Sequence, residues 1–265
     1  MNENIKIVQD FYNAQVENEW NRIANRPEFL LTCRMFDRYI KPGCKVLDIG
    51  GGPGRYSLYL AEKGCDATLF DLSPENVRFA GEKAVELNLP LKTVCGDARE
   101  ADKLTDGQFD HVLLMGPMYH LLEETDRINA VNAALNLLKP NGVIFVSFIN
   151  LVAVMIYYMK HPDAVSFPEE AIYIEHVVAQ KTYEGKAFTE VIFREQSEIL
   201  PFMSQFPLEK LHLFGQESIM SPCESNIMSQ PKEIIDLWLD LCEKLWERED
   251  LLSWSEHLMY VGRKI

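Results

Sequence analysis

Residues 46–57 read Val-Leu-Asp-Ile-Gly-Gly-Gly-Pro-Gly-Arg-Tyr-Ser, with glycines at 50, 51, 52 and 54. A short apolar run leads straight into these glycines and a helical pattern follows them. Residues without side chains let the backbone turn sharply and approach a ligand closely. The helix start behind them offers unpaired N–H groups and a positive dipole end. In an open α/β sheet this combination binds a nucleotide-like ligand at the carboxyl end of the first strand. A purely structural turn is the plainer alternative, against which stand the four glycines and their flanking acids.

The spacing narrows the ligand. The dinucleotide fingerprint is G-x-G-x-x-G. Here Gly50, Gly52 and Gly54 give G-x-G-x-G, and Arg55 stands where the third glycine would fall. No G-K-[ST] follows, so the loop is not a phosphate-cradling P-loop either. Asp48 sits two residues before the first glycine. A carboxylate there repels a pyrophosphate and suits a ligand that is cationic at the loop.

Asp48-x-Gly50-x-Gly52-x-Gly54 resembles motif I of the class I S-adenosylmethionine-dependent methyltransferases. Their ligand carries a sulfonium and an ammonium and no phosphate. The resemblance continues in order along the chain. Asp71, ending Thr68-Leu-Phe-Asp71, lies 23 positions after Asp48, where the family has the carboxylate that accepts both ribose hydroxyls. Asp97, in Cys95-Gly-Asp-Ala98, matches the acid that accepts from the adenine amino group. Phe109–Met115 with Gly116-Pro-Met-Tyr-His120 matches the fourth strand and its substrate-facing loop. Leu137-Leu-Lys-Pro-Asn-Gly142 is similar to the turn before the fifth strand, and Glu256–Arg263 to the final antiparallel strand. The resemblance is close over residues 1–150 and loose over 186–265.

It implies S-adenosylmethionine as cofactor, surrounded by Asp48, Gly50, Gly52, Gly54, Asp71, Leu72, Asp97, Ala98 and Met115. Tyr12, Trp20 and Arg22 of the first helices either cap the cofactor, as the matching helix does in the family, or pack in the core. Asp71 doubles as a helix cap before Ser73-Pro74, or serves only as one. Asp97 is either the adenine acceptor or a turn aspartate. His120 is the expected general base, since its intrinsic pKa lies near neutrality. Tyr119 is expected to orient it. The alternative for both residues is that they merely line the pocket wall.

These residues need a scaffold. After two helical patterns in residues 1–40, short apolar runs alternate with helical stretches. Lys45–Ile49, Ala67–Phe70, Leu91–Val94, His111–Met115 and Val143–Phe148 are strand candidates, with helices at 55–63, 74–87 and 124–138 between them. Such βα units build a parallel sheet covered on both faces. Thr189–Phe193, Leu208–Leu213 and His257–Val261 are later strands, and Pro231–Glu247 is an amphipathic helix. Its Trp238 and Trp246 belong to helix packing rather than to base stacking, and Lys160-His161 to a solvated loop. The family resemblance implies an α/β, Rossmann-like fold with a seven-stranded, mostly parallel sheet, helices on both faces and a helical lid. The expected division is a helical lid (1–40), a cofactor-binding core (41–150), an insertion capping the active site (151–185) and a C-terminal completion of the sheet (186–265). Apolar Val152, Met155, Ile156, Tyr157 and Tyr158 in that insertion suit an apolar or amphipathic acceptor.

Composition bounds the rest. The chain has 265 residues, 47% hydrophobic and 25% charged, and a net charge of −14. These are ordinary globular values. The acidity argues against a phosphate-backbone partner, and Gly116-Pro-Met-Tyr119 departs from the [DNS]-P-P-[YFW] of DNA amino-methylating enzymes. Six scattered cysteines without C-x-x-C imply no zinc site, no disulfide framework and a reduced, cytoplasmic setting. The polar start, Met1-Asn-Glu-Asn-Ile-Lys, has no apolar signal core. Gly142–Met159 is uncharged over eighteen residues. It reads as a buried strand followed by a helix capped by Asn150, not as a membrane span. The expected activity is methyl transfer from S-adenosylmethionine to an oxygen, nitrogen or sulfur of a small molecule. Methylation of RNA or protein, and cofactor binding without catalysis, stay open, with a nicotinamide oxidoreductase behind them.

Overall fold

A computed structural model describes residues 3–265. Helices α1 (Glu3–Arg22) and α2 (Pro27–Tyr39) precede β1 (Lys45–Ile49). There follow α3 (Arg55–Glu62), β2 (Asp66–Asp71), α4 (Pro74–Glu86), β3 (Leu91–Cys95), the single turn α5 (Ala101–Leu104), β4 (Phe109–Leu114), α6 (Glu124–Leu137) and β5 (Leu138–Ile149). Next come α7 (Ala153–Lys160), α8 (Ala171–Ala179), the strands β6 (Tyr183–Lys186) and β7 (Glu190–Phe193), and α9 (Ile199–Met203). The chain closes with β8 (Leu208–Gly215), α10 (Glu224–Met228), α11 (Lys232–Leu245) and β9 (His257–Lys264).

The central sheet has seven strands in the order β3-β2-β1-β4-β5-β9-β8. Its first five strands are parallel, and β9 runs antiparallel between β5 and β8. This is the α/β, Rossmann-like architecture implied by the motif order. Side chains alternate across the sheet with period two. Leu47, Ile49, Val112, Leu114, Ile144, Val146, Leu258 and Tyr260 face one core, with α6 and α9. Val46, Leu113, Phe145, Met259 and Val261 face the other, with α2, α3 and α11. Both faces are apolar, so the strands read as short continuous hydrophobic runs rather than alternating ones. Fully buried Leu47, Phe145 and Phe214 each contribute roughly 1.5–3 kcal/mol by leaving water.

Several expectations are corrected. Asn150 does not cap α7, which begins at Ala153 behind Val152. Its amide instead donates to the carbonyls of Leu252 and Ser255, tying the end of β5 to the segment before β9. The run Thr189–Phe193 does not join the main sheet. It forms β7 and pairs only with β6, a hairpin that straddles the boundary expected at 185/186. Lys160 is no solvated loop residue, since its ammonium pairs with Glu224 and Glu256. Trp246 is buried against Phe214, with Arg38 over its ring, so the tryptophan stripe is packing. Among the described residues no helix is long and apolar enough to cross a membrane.

Candidate active site

Strand order reverses between β1 and β4, and a crevice opens at their carboxyl ends. It holds a cavity of about 150 Å³. The floor is the glycine loop after β1, the walls are the loops after β2, β3 and β4, and the roof is α1, through Ile5, Val8, Gln9, Tyr12 and Arg22. None of Val152, Met155, Ile156, Tyr157 or Tyr158 lines it. Their helix packs instead in a separate apolar cluster with the hairpin, through Val154, Tyr158, Tyr183 and Val191.

The loop needs its glycines for different reasons. Gly50 has φ +80°, and a Cβ there would collide with Cδ of Pro117. Gly52 has φ +56° with open space where a Cβ would stand. Gly54, at φ +94°, is the N-cap of α3, and a Cβ there would stand 3.0 Å from the Ala80 Cβ. It is absent from the cavity wall, so its expected cofactor contact becomes a helix-packing role. Gly50→Ala should therefore cost about 2–4 kcal/mol, from backbone strain plus the collision. Gly52→Ala should cost only about 1 kcal/mol. Denaturation midpoints of the two variants check this order.

Three acids converge on the cavity in three different states. Asp48 is buried, and its Oδ2 accepts from Ser57 Oγ at 2.6 Å. Among the described residues its Oδ1 has no hydrogen-bond partner. Burial pushes its pKa up to about 7; the Ser57 hydrogen bond opposes this and the charge of Asp71 adds to it. Asp71 braces two elements. Its Oδ1 accepts from the Ser73 N–H at 2.8 Å and the Asn76 amide at 3.2 Å, and its Oδ2 accepts from the Gly52 N–H at 2.8 Å. The cap of α4 itself is Ser73, whose Oγ accepts from the Asn76 N–H at 3.1 Å. Burial outweighs these hydrogen bonds and raises the Asp71 pKa. Asp97 is held by Arg99, whose Nη2 lies 2.6 Å from Oδ2 and whose Nε lies 3.0 Å from Oδ1. Burial alone would raise its pKa, but the hydrogen bonds and charge of Arg99 win and lower it.

At the other end stands His120, buried at the end of the loop after β4. Its Nδ1 lies 2.7 Å from the Glu190 carbonyl of β7. A carbonyl only accepts, so Nδ1 carries the hydrogen and Nε2 holds a free lone pair. The Tyr12 hydroxyl of α1 donates into that lone pair at 2.7 Å. Burial lowers the His120 pKa to about 4, the Glu190 hydrogen bond opposing it, so the imidazole is neutral at pH 7. The near-neutral pKa expected from the sequence is corrected by this desolvation. Burial likewise raises the Tyr12 pKa, so its phenol stays protonated.

Tyr119 makes no hydrogen bond to His120 and meets it only ring to ring, edge-on at 6.0 Å. Its hydroxyl donates to Ser147 Oγ at 2.7 Å, Ser147 donates to Gln216, and Gln216 donates to Thr32 at 2.9 Å. Tyr119 therefore forms wall, locked by a buried hydroxyl chain. The orienting groups are the Glu190 carbonyl and Tyr12. Behind Tyr119, Glu28, Glu217 and His257 are buried with donor atoms within 4.8 Å of one another. Both oxygens of Glu217 are engaged by His257 and Ser255, and Arg22 holds Glu28 at 3.1 Å. Burial acts against the His257 imidazolium, but Glu217 and Glu28 prevail and raise its pKa to about 9. The group is a closed ion network that ties α1 and α2 to the start of β9.

Asp48, Gly50, Gly52, Asp71, Leu72, Asp97, Ala98, Met115, Tyr119, His120 and Tyr12 all line the one cavity. Arg22 lines it too, whereas Trp20 stacks beneath the Arg55 guanidinium at 3.5 Å. Sequence reasoning missed Gln9 and Asn13, whose side chains bond the Leu72 carbonyl at 2.8 Å and Ser73 Oγ at 2.6 Å and sew α1 onto the loop after β2.

A family model described as a methyltransferase domain matches residues 46–142. The ubiquinone biosynthesis O-methyltransferase of Cronobacter sakazakii is 29% identical over 179 residues, 65% of this chain and 65% of that protein. The protein of that name from Xanthomonas campestris pv. campestris is 32% identical over 113 residues, 43% of this chain and 46% of its own. The chain thus spans less than two thirds of the length of these curated relatives. Among solved structures, magnesium protoporphyrin IX methyltransferase from Synechocystis PCC 6803, with bound SAH, superimposes with a TM-score of 0.59 at 13% identity, covering 99% of this chain and 100% of that one. The 1,6-didemethyltoxoflavin-N1-methyltransferase of Burkholderia thailandensis gives 0.60 at 14%, covering 98% and 88%. At such identities the likeness is one of fold.

Proposed function

We propose that the chain, whose residues 46–142 match a methyltransferase domain, is a class I S-adenosylmethionine-dependent methyltransferase and transfers the methyl group of S-adenosylmethionine to a nucleophilic oxygen, nitrogen or sulfur of a small molecule. One observation carries the reading: a single cavity joins an unpartnered buried carboxylate oxygen to a neutral imidazole of fixed tautomer. The name of the curated relatives favours oxygen as the nucleophile.

The residues fit this cofactor. Asp48 Oδ1 is a buried acceptor that a cationic group would satisfy, and no phosphate would. Asp71 keeps lone-pair capacity on Oδ2 for a hydroxyl donor. Gly50 and Gly52 leave the backbone bare beside it. S-adenosylmethionine, when bound, supplies a methyl group on a sulfonium already activated for displacement and leaves as a neutral thioether. The protein's work is then alignment, exclusion of water and handling of one proton. Helix α1 closes the roof, and His120 takes the acceptor's proton through Tyr12: the phenol hydrogen moves to Nε2 as the phenol oxygen receives the acceptor's. The site loses a sulfonium charge as it gains an imidazolium, so its net charge does not rise. Six free cysteines, three of them buried, support a reducing, cytoplasmic setting.

Asp48 sets a pH dependence. Its pKa near 7 in the free protein means that it is mostly protonated at pH 6. The ligand's ammonium, present in both S-adenosylmethionine and S-adenosylhomocysteine, favours the ionised form, so binding expels the proton. Affinity for S-adenosylhomocysteine should rise by up to about tenfold per pH unit between roughly pH 5 and 7 and level off above. Calorimetry in buffers of different ionisation enthalpy should register proton release below pH 7. Affinity that is flat from pH 5.5 to 7.5 would remove Asp48 from the cofactor site. The reading as a whole is tested by titration with S-adenosylmethionine and S-adenosylhomocysteine, then by tracing a labelled methyl group into phenols, amines and thiols. Absence of heat with both nucleosides sinks it.

A further inference from the structure

Four aromatic rings close a loop beside the cavity, which Tyr12 and His120 line and Phe11 and Phe188 do not. Phe11 lies 5.2 Å from Tyr12, Tyr12 5.3 Å from His120, His120 6.1 Å from Phe188, and Phe188 5.8 Å from Phe11. Three of the four contacts are edge-to-face. Two of these rings come from α1, one from the loop after β4 and one from the tip of the β6–β7 hairpin. Phe188 stands between Lys186 and Glu190 and is 51% exposed. It takes no part in the apolar cluster that holds the hairpin to α7. Its partners are Phe11 and His120.

The two flanks of α1 are held differently. On the β2–α4 side, Gln9, Asn13 and the Trp20 carbonyl are sewn to Leu72, Ser73 and Arg55 by hydrogen bonds of 2.6–2.8 Å. On the hairpin side Phe11 rests on Phe188, and among the described residues the one hydrogen bond from α1 to this wall is Tyr12 to His120. The sewn flank covers Asp71 and the glycine loop. The unsewn flank leads to the imidazole.

Resting on the methyl-transfer reading above, the geometry points to a flat aromatic acceptor bearing a ring hydroxyl, admitted between α1 and the β6–β7 hairpin into this four-ring box. A planar ring can replace the Phe11–Phe188 contact with contacts of the same kind, because edge-to-face and offset pairs tolerate exchange of one ring for another. Its hydroxyl then meets Tyr12 Oη, a phenol already donating to His120 and hence turned to accept. His120 is neutral, and none of the four rings of the box carries a carboxylate.

The test uses the full chain saturated with S-adenosylhomocysteine and three probes: 2-naphthol, its saturated counterpart decahydro-2-naphthol, and tetramethylammonium. 2-Naphthol should bind at least about tenfold more tightly than the saturated alcohol, the scale of one or two aromatic contacts. Phe188→Ala should erase that margin while leaving affinity for S-adenosylhomocysteine unchanged, and Phe188→Tyr should preserve it. Equal binding of the two alcohols, no binding of either, preference for tetramethylammonium, or indifference to Phe188→Ala each overturns the proposal. Titrations repeated without S-adenosylhomocysteine separate failure of the box from failure of the cofactor reading.

Discussion

Replacing His120 by Gln should lower kcat by about 10²–10⁴-fold, the range lost with a positioned general base, while affinity for S-adenosylhomocysteine stays within about twofold, well under 1 kcal/mol. Nε2 is the basic nitrogen of the ring, because Nδ1 carries its hydrogen to the Glu190 carbonyl. Tyr12 is the group that fills Nε2. Tyr12→Phe should therefore cost a comparable factor, and the double variant little more than either single one, since residues that act as a unit are strongly non-additive. Additive losses would show that the two residues act separately. Turnover unchanged in His120→Gln would show that no base is needed.

The same pair fixes the pH profile. Burial has lowered the His120 pKa to about 4, so the imidazole is already neutral throughout pH 5.5–8. The kcat profile should carry no acid limb near 6.5 from this residue. The linked stability runs the same way. The unfolded chain protonates this histidine near its ordinary value of about 6.5, the folded chain only near 4. Stability from this group is therefore full above the ordinary value and is lost as pH falls from there toward 4. Asp48 acts in the opposite sense, holding its proton longer in the folded state, so its contribution declines as pH rises from about 4 to 7.

Local pattern made the core legible and non-local pattern hid the lid. The strands β1 to β4 and the helices between them follow from hydrophobic runs and their spacing, because burial on both faces imposes that pattern directly. Asp48 in β1, Asp71 at the end of β2 and Asp97 just after β3 follow from the motif resemblance. Strand β6 has no such signal: Tyr183-Glu-Gly-Lys186 carries two charges and a glycine at φ +154°, and only its pairing with β7 makes it a strand. The partner of His120 is a backbone carbonyl 70 residues away, which residue type cannot reveal. The sewing of α1 by Gln9 and Asn13 is equally silent, since both read as ordinary polar helix positions. The low pKa of His120 comes from enclosure by α1 and the hairpin, a tertiary property. Gly54 misleads in the other direction. It fits the motif by spacing, yet it answers to Ala80 and the start of α3.

Asp71→Asn should weaken S-adenosylhomocysteine binding by about 100-fold, roughly 2.7 kcal/mol, and also lower the denaturation midpoint. Two losses combine. Hydrogen bonds from ligand hydroxyls to a carboxylate are each worth about 1.5–3 kcal/mol, and the neutral amide forfeits much of that. The amide also cannot satisfy the brace in either orientation. With its oxygen toward the Ser73 N–H, its NH₂ faces the Gly52 N–H, donor against donor. Flipped, it serves Gly52 and strands Ser73, although Asn76 has an unpartnered Oδ1 that can then accept. One buried backbone N–H is left unsatisfied each way, at about 1–3 kcal/mol, part of which is returned because a carboxylate with a burial-raised pKa is no longer enclosed. Asp97→Asn is the control. Its carboxylate is already bound by Arg99 on both oxygens, so a ligand gains less from it and the loss of affinity should stay under about tenfold, or 1.4 kcal/mol. If Asp97→Asn proves the more damaging for binding, the nucleoside is held mainly by the loop after β3, and Asp71 is a brace alone.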